Sequence, residues 1–426
     1  MLIEFRVENH RSLRDEQVFT MTSGSLGAET DERPRAIEGF SDKVLPAAVL
    51  YGANASGKSN VLSAIAFMKE AVMTSYRYWD PESGVPRSPF AWGSKRSEPS
   101  TFEVLFVWHG CRYEYGFVVS DDYVEEEWLY AWPAGRKQIW YERDRGEFKF
   151  GENLAGPNEV INQVTRPNAL FLSVASQHKH PQLSEVFSWF RNVIPTNVPS
   201  RMSPQYARGL NTRFLISGFG REAYHDLFFD SAASQELVVT KIRQLLKIAD
   251  TGIVDIEFAT EDVESQPRQL RRERIRLKHQ VSDDDSWIDF DEESQGTRTL
   301  FGMAIPIFRA MSNGGVLLVD ELESSLHPLL GSSIVKMFNC PKTNSNNAQI
   351  IFTTHDTNLL GTTLGEPSMR RDQIWFTEKE ASGASRLYPL TDFHPRKAEN
   401  LERGYLQGRY GSIPFLGDMG LIAEHD

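Results

Sequence analysis

Cysteine is almost absent: Cys111 and Cys340 stand alone in 426 residues. Two thiols cannot build a disulfide framework, and their scarcity fits a reducing compartment. No uncharged apolar run nears the roughly 18 residues of a membrane span. The opening Met1 to Asn9 lacks the basic and apolar regions of a secretory leader, so a soluble, cytoplasmic protein is expected. A basic excess is missing too. Lys and Arg total 46 against 58 Asp and Glu, a net charge of −12. That balance argues against a surface that coats nucleic acid throughout, while leaving room for a local basic strip. No internal repeat, low-complexity tract or sustained heptad occurs, so a long coiled coil is not expected. What is present is the makings of a large core, with 40% hydrophobic and 24% charged residues. The length is that of two or three domains at about 150 residues each.

Periodicity then divides the chain. Leu2 to Val7 alternates like a half-buried strand, and Val44 to Tyr51 runs through Gly52 into a helical pattern from Lys58 to about Val72. Strand, glycine loop and helix open an α/β unit. Thr101–Trp108, Arg112–Val119, Tyr123–Trp132 and Gln138–Phe150 are rich in aromatic and β-branched residues and are separated by turn signals, so an antiparallel β lobe is expected there. Leu183–Phe190 and Gln235–Ala249 carry helical spacing. Six basic residues, Arg268, Arg271, Arg272, Arg274, Arg276 and Lys278, follow. Their alternation with Ile275 and Leu277 predicts an edge strand whose charges block edge pairing or form a strip for DNA or a partner. After residue 286 the α/β pattern resumes.

Gly52-Ala53-Asn54-Ala55-Ser56-Gly57-Lys58-Ser59 fits the P-loop pattern at every defined position, with Asn60 next in the helix. Its glycines let successive N–H groups point at phosphates, and the helix start adds a favourable dipole. Lys58 neutralises phosphate charge, and the Ser59 hydroxyl is a Mg²⁺ ligand. Val316-Leu317-Leu318-Val319-Asp320-Glu321 is an apolar run ending in two acids, as in a strand covered on both faces. Asp320 there suits metal holding and Glu321 suits activation of water. Gln349 to Thr354 is a third such run, and His355 follows it. If these three strands are parallel neighbours, Lys58, Asp320, Glu321 and His355 converge on one edge. Ser294-Gln295-Gly296-Thr297 precedes a helical pattern from Arg298 to Phe308. It is either an ordinary N-cap or a second anion site, offered to a nucleotide on another subunit.

With these elements in this order the chain resembles the ABC-type ATPase heads of SMC, RecF and OLD proteins. Asn9-His10-Arg11-Ser12 looks like the start of such heads. Glu293–Thr297, Leu326-His327-Pro328 and the tail Asn400 to Gly411 are similar to bacterial RloA/AbiLi-type AAA ATPases. The resemblance implies an α/β head that binds ATP and Mg²⁺. Walker A would be Gly52–Ser59, the signature Ser294–Thr297 with Ser294 and Gly296 on the nucleotide, Walker B Val316–Glu321 and the switch histidine His355. Arg11 would lie near the nucleotide, and Ser59 and Asp320 would hold the metal. Lys58, Glu321 and His355 would act in hydrolysis. It also implies a homodimer or higher homo-oligomer sandwiching ATP, anti-phage defence, and a separately encoded nuclease or toxin-like effector. His327 falls where such heads carry their D-loop, and suits a loop-fixing role. No Q-loop glutamine stands out; Gln138, Gln163 and Gln177 are candidates.

The expected layout is an N-terminal ATPase lobe over 1–159, a mostly helical insertion over 160–285, a C-terminal ATPase lobe over 286–395 and a tail over 396–426. Lys58 and Asp320 are 262 residues apart, far beyond the ~30 of a simple βαβ unit. Only 71 residues follow His355, without an Asp-x-Asp pair, so no intrinsic nuclease is expected. Three functions compete: a defence ATPase that controls an effector, a DNA-maintenance ATPase using 268–278, and an ATP-binding scaffold with little turnover. The tail either docks the effector or packs on the head.

Overall fold

The computed structural model describes residues 1–24, 31–199, 240–247, 249, 252–262, 271–281, 286–324, 326–362, 365–396 and 399–414, with the side chains of 258–262 and 271–274 excepted. The chain is α/β. Its strands are β1 (Leu2–Glu8), β2 (Gln17–Thr20), β3 (Ala47–Tyr51), β4 (Ser100–Trp108), β5 (Cys111–Val119), β6 (Val124–Trp132), β7 (Gln138–Asp144), β8 (Glu147–Phe150), β9 (Val193–Thr196), β10 (Ile253–Asp262), β11 (Arg271–His279), β12 (Trp287–Asp289), β13 (Val316–Val319), β14 (Gln349–Thr353), β15 (Ile374–Lys379) and β16 (Ser385–Pro389). The helices that matter below are α1 (Lys58–Tyr78), α2 (Asn158–Val164), α3 (Phe171–Gln177), α4 (Leu183–Arg191), α5 (Gln295–Asn313), α6 (Pro328–Asn339) and α7 (Leu401–Leu406).

A six-stranded sheet in the order β16-β15-β3-β14-β13-β9 forms the centre, parallel except for the edge strand β16. Every residue of β3, β13 and β14 is buried, which is why these strands read as unbroken apolar runs. Alternate residues feed two cores. Leu50, Leu318 and Ile351 pack with α1, α3, α4 and the antiparallel sheet. Val49, Leu317, Val319 and Phe352 pack with α5, α6 and the tail.

The antiparallel sheet, β2-β1-β4-β5-β6-β7-β8, is built from successive hairpins after β1 and β2. Its core is aromatic, with Phe102 opposite Phe117 and both fully buried. One carboxylate lies inside it. Glu127 accepts from the hydroxyls of Tyr115 (3.0 Å) and Tyr141 (2.8 Å) and from the backbone N–H groups of Phe171 (2.7 Å) and Leu172 (3.1 Å). That network fixes the start of α3 to the sheet.

Residues 1–159 supply strands to both sheets: β3 and α1 belong with the strands after 316, while β1, β2 and β4–β8 form the antiparallel layer. Other features depart from the sequence reading. The span 160–285 is helical only in part. After α4 the chain enters the central sheet as β9, four residues too short to show a period, pinned by parallel pairing to β13. Residues 200–239 lie outside the described residues. The basic run is not an edge. β11 is the middle strand of a separate antiparallel sheet, β10-β11-β12, because the acid-bearing β10 offers opposite charges in register, Glu257 facing Arg276 and Asp255 facing Lys278. Arg276 has Glu257 at 3.9 Å and Asp289 at 3.8 Å; Arg268 lies outside the described residues. Residues 399–414 pack on the head: Tyr405 and Tyr410 stack on Phe376 of β15.

Candidate nucleotide site

The P-loop begins where β3 ends. Gly57 takes a left-handed conformation (φ 109°) as it caps α1, a region open to glycine without strain. Space demands glycine as well, since a Cβ there would lie 2.2 Å from the Ser385 hydroxyl. That hydroxyl donates to the Ser56 carbonyl at 2.6 Å, and Ser56 and Thr377 share a hydrogen bond of 2.6 Å. The loop is therefore clamped from β15 and β16.

Lys58 is buried, and its ammonium donates to the carbonyls of Gly52 (2.9 Å) and Ala53 (3.1 Å). Burial pushes its pKa down, against the support of Asp320, Glu323 and Glu321. The Ser59 hydroxyl donates to Asp320 Oδ1 at 2.9 Å, and Thr353 donates to the same oxygen at 2.7 Å. Thr353 in turn accepts from the Glu321 N–H at 2.8 Å, which holds Glu321 at φ 55° with its side chain exposed. β13, β14 and β3 are adjacent and parallel, so Lys58, Asp320, Glu321 and His355 share one edge, as open α/β sheets place their ligand groups. His355 is held by its backbone N–H, which donates to Glu323 Oε1 at 2.6 Å. Partial desolvation, then the charge of Lys58, depress its pKa below the ordinary imidazole value.

Three residues of this edge escaped the sequence reading. Thr353 joins both acids, and only its position at a strand end marked it. Glu323 braces His355, and its Oε2 is buried without a hydrogen-bond partner. Asn197 follows β9, whose last residue accepts from the Asp320 N–H at 3.1 Å. A cavity of about 260 Å³ is lined by Asn197, Asp320 and Glu321 together with Thr196, Gln295 and Thr299. The proposed glutamines Gln138, Gln163 and Gln177 sit instead on β7, α2 and α3, away from this edge.

The Asn9–Ser12 turn meets the P-loop through Ser12, whose Oγ accepts from Asn60 Nδ2 and shares a hydrogen bond with Ser385 Oγ, both at 2.7 Å. The Arg11 guanidinium donates to the Pro199 carbonyl at 3.3 Å. Ser294 caps α5, its hydroxyl accepting from the Thr297 N–H at 3.1 Å. It is exposed, and Gly296 beside it is half-buried. His327 caps α6 in the same manner through Leu329 N–H (3.3 Å).

These residues fit Mg²⁺ and a triphosphate. Ser59 and Asp320 put two hard oxygen donors within hydrogen-bond distance of each other, and Lys58 is a buried cation resting on weak backbone acceptors at the start of a helix. Among the described residues no cluster of three His, Cys, Asp or Glu side chains is arranged to hold a metal, so phosphate and water would complete the coordination.

A glycine loop, a buried lysine and strand-end acids define a P-loop nucleotide-binding protein. The chain belongs to the family described as "AAA domain, putative AbiEii toxin, Type IV TA system", which matches residues 47–361. No curated protein matches it. Among solved structures it is similar to an SMC head bound to the C-terminal winged-helix domain of ScpA, at 12% identity and a TM-score of 0.44, covering 91% of this chain and 97% of that one. It is also similar to the SMC head domain from Thermotoga maritima, at 12% identity and a TM-score of 0.36, covering 91% and 98%. No helix among the described residues is long and apolar enough to cross a membrane.

Proposed function

We propose that the protein is a magnesium-dependent ATPase, that ATP joins two copies of the chain, and that this assembly controls a separately encoded effector in bacterial anti-phage defence. The observation that carries the reading is the pair of hydroxyls, Ser59 and Thr353, converging on one oxygen of Asp320 beside buried Lys58. Bound Mg²⁺, held by Ser59 and Asp320, would supply Lewis-acid neutralisation of phosphate charge. The residues of the chain do the rest. Lys58 exchanges its backbone carbonyls for phosphate oxygens. Glu321, exposed beside the cavity, orients a water and takes its proton. His355, largely neutral at pH 7, is able to accept or donate a hydrogen bond at the γ-phosphate.

Two features support assembly and an effector. The helix start at Ser294, with exposed Ser294 and Gln295, is accessible to a nucleotide on a second copy. The family description names a toxin and a toxin–antitoxin system, which favours a partner in cellular conflict over DNA maintenance. The DNA reading also loses support from the cross-strand pairing of Arg276 with Glu257 and Asp289.

The test is Glu321→Gln. ATP affinity is expected to stay within about twofold, phosphate release to fall at least about a hundredfold, and the ATP-bound oligomer seen by light scattering to persist. Absence of ATP binding at millimolar nucleotide, or identical oligomer distributions in variant and wild type, overturns the proposal.

A further inference from the structure

Trp92 is 58% exposed, although its surroundings fix it firmly. Phe90 meets it edge to face at 5.2 Å between centroids. Its six-membered ring lies so close over Gly383 that a Cβ there would be 2.5 Å away. Gly383 (φ 81°) belongs to a turn closed by the Glu380 N–H donating to the Ala384 carbonyl at 2.8 Å. The next residue is Ser385, whose hydroxyl donates to the P-loop carbonyl of Ser56. Two residues of extended chain, about 7 Å, thus separate the glycine under Trp92 from a group that touches the P-loop.

The far side of this loop is anchored to the same region. Buried Asn9 donates to the carbonyls of Lys95 (2.7 Å), Glu98 (2.8 Å) and Pro99 (3.0 Å) and accepts from the Phe90 N–H (2.9 Å). The Arg11 N–H donates to the Ser88 carbonyl at 2.7 Å. These residues adjoin Ser12, which contacts Asn60 at the start of α1. The Arg14 guanidinium lies 5.9 Å from the Phe90 centroid, adding a cation to an aromatic ledge. An indole packed against the turn that leads to Ser385 and its P-loop contact, with most of its surface open, offers what a flat heteroaromatic ring requires for stacking.

We propose that Trp92, braced by Phe90 and Gly383, is the platform on which the base of the P-loop nucleotide stacks. This rests on the triphosphate reading of the P-loop above. The experiment is calorimetric binding of ATP and of inorganic tripolyphosphate, which lacks a base, to wild type, Trp92→Ala and Trp92→Phe. Trp92→Ala is expected to weaken ATP about tenfold and to leave tripolyphosphate unchanged, with Trp92→Phe recovering most of the loss. Unchanged ATP affinity in Trp92→Ala overturns the proposal, as does an equal loss for both ligands; unchanged affinity together with lost ATP-dependent assembly would place Trp92 at a protein contact instead. If wild type takes up neither ligand, the triphosphate reading itself has failed and the platform falls with it.

Discussion

Thr353 shows how much one hydroxyl organises. It donates to Asp320, accepts from the Glu321 N–H, and is fully buried. Thr353→Val keeps the shape and removes both bonds. A hydrogen bond to a charged group is worth about 1.5–3 kcal/mol, so magnesium-dependent phosphate release is expected to fall about tenfold or more while the thermal midpoint moves little. Steady-state kinetics over a magnesium titration would check this; unchanged rates would mean that Asp320 is held without it. The P-loop, Asp320, Glu321 and His355 could be picked out from the sequence because their motifs pair fixed residue types with fixed spacing. Thr353, Glu323 and Asn197 could not. Their significance depends on which strands become neighbours, and β9 and β13 are more than a hundred residues apart in the chain. Ser12 is a further case: the local motif located the turn, and the fold brings its hydroxyl onto Asn60 at the start of α1.

At the level of elements, the tail is part of the head. Tyr405 stacks on Phe376 at 5.6 Å and packs against Tyr51, the last residue of β3, at 5.5 Å. Glu402 accepts from Thr357, two residues beyond His355, at 3.1 Å. The short helix α7 therefore touches both the strand that leads into the P-loop and the segment after His355. Tyr405→Ala is expected to cost about 3 kcal/mol, as large aromatic truncations in cores do, and to weaken ATP binding as well. Urea denaturation with and without nucleotide would measure both; a silent variant would mean that the tail is merely laid on the surface. The strands of the antiparallel sheet were recognisable in sequence through their alternation and turns. The sheet β10-β11-β12 was only half recognisable, since the many acids of β10 masked its pattern.

For the molecule as a whole, pH should act through a buried lysine. Lys69 in α1 is enclosed, and burial, then the charge of Arg309, bring its pKa from 10.5 down to about 8 despite Glu70. The folded protein thus releases this proton more easily than the unfolded chain does. The sign follows: below about pH 8 both states carry the charge and the fold bears its full cost, and stability from this group rises between pH 8 and 10.5. Lys69→Met is expected to remove that rise, so its denaturation midpoints at pH 8 and pH 10 should differ less than those of wild type. An unchanged pH slope would show that Lys69 is hydrated.

The strand that feeds the P-loop has a further implication for how the protein comes into being. Among the described residues β3 pairs with β14 on one side and β15 on the other, and both are made about three hundred residues later. On the ribosome its unbroken apolar sequence emerges early and stays unpaired until most of the polypeptide has been synthesised. Contacts of such long range form slowly, and exposed strands invite aggregation meanwhile. The nascent chain is thus a natural client for chaperones, and truncated products ending before residue 349 would lack the partners that shelter this strand.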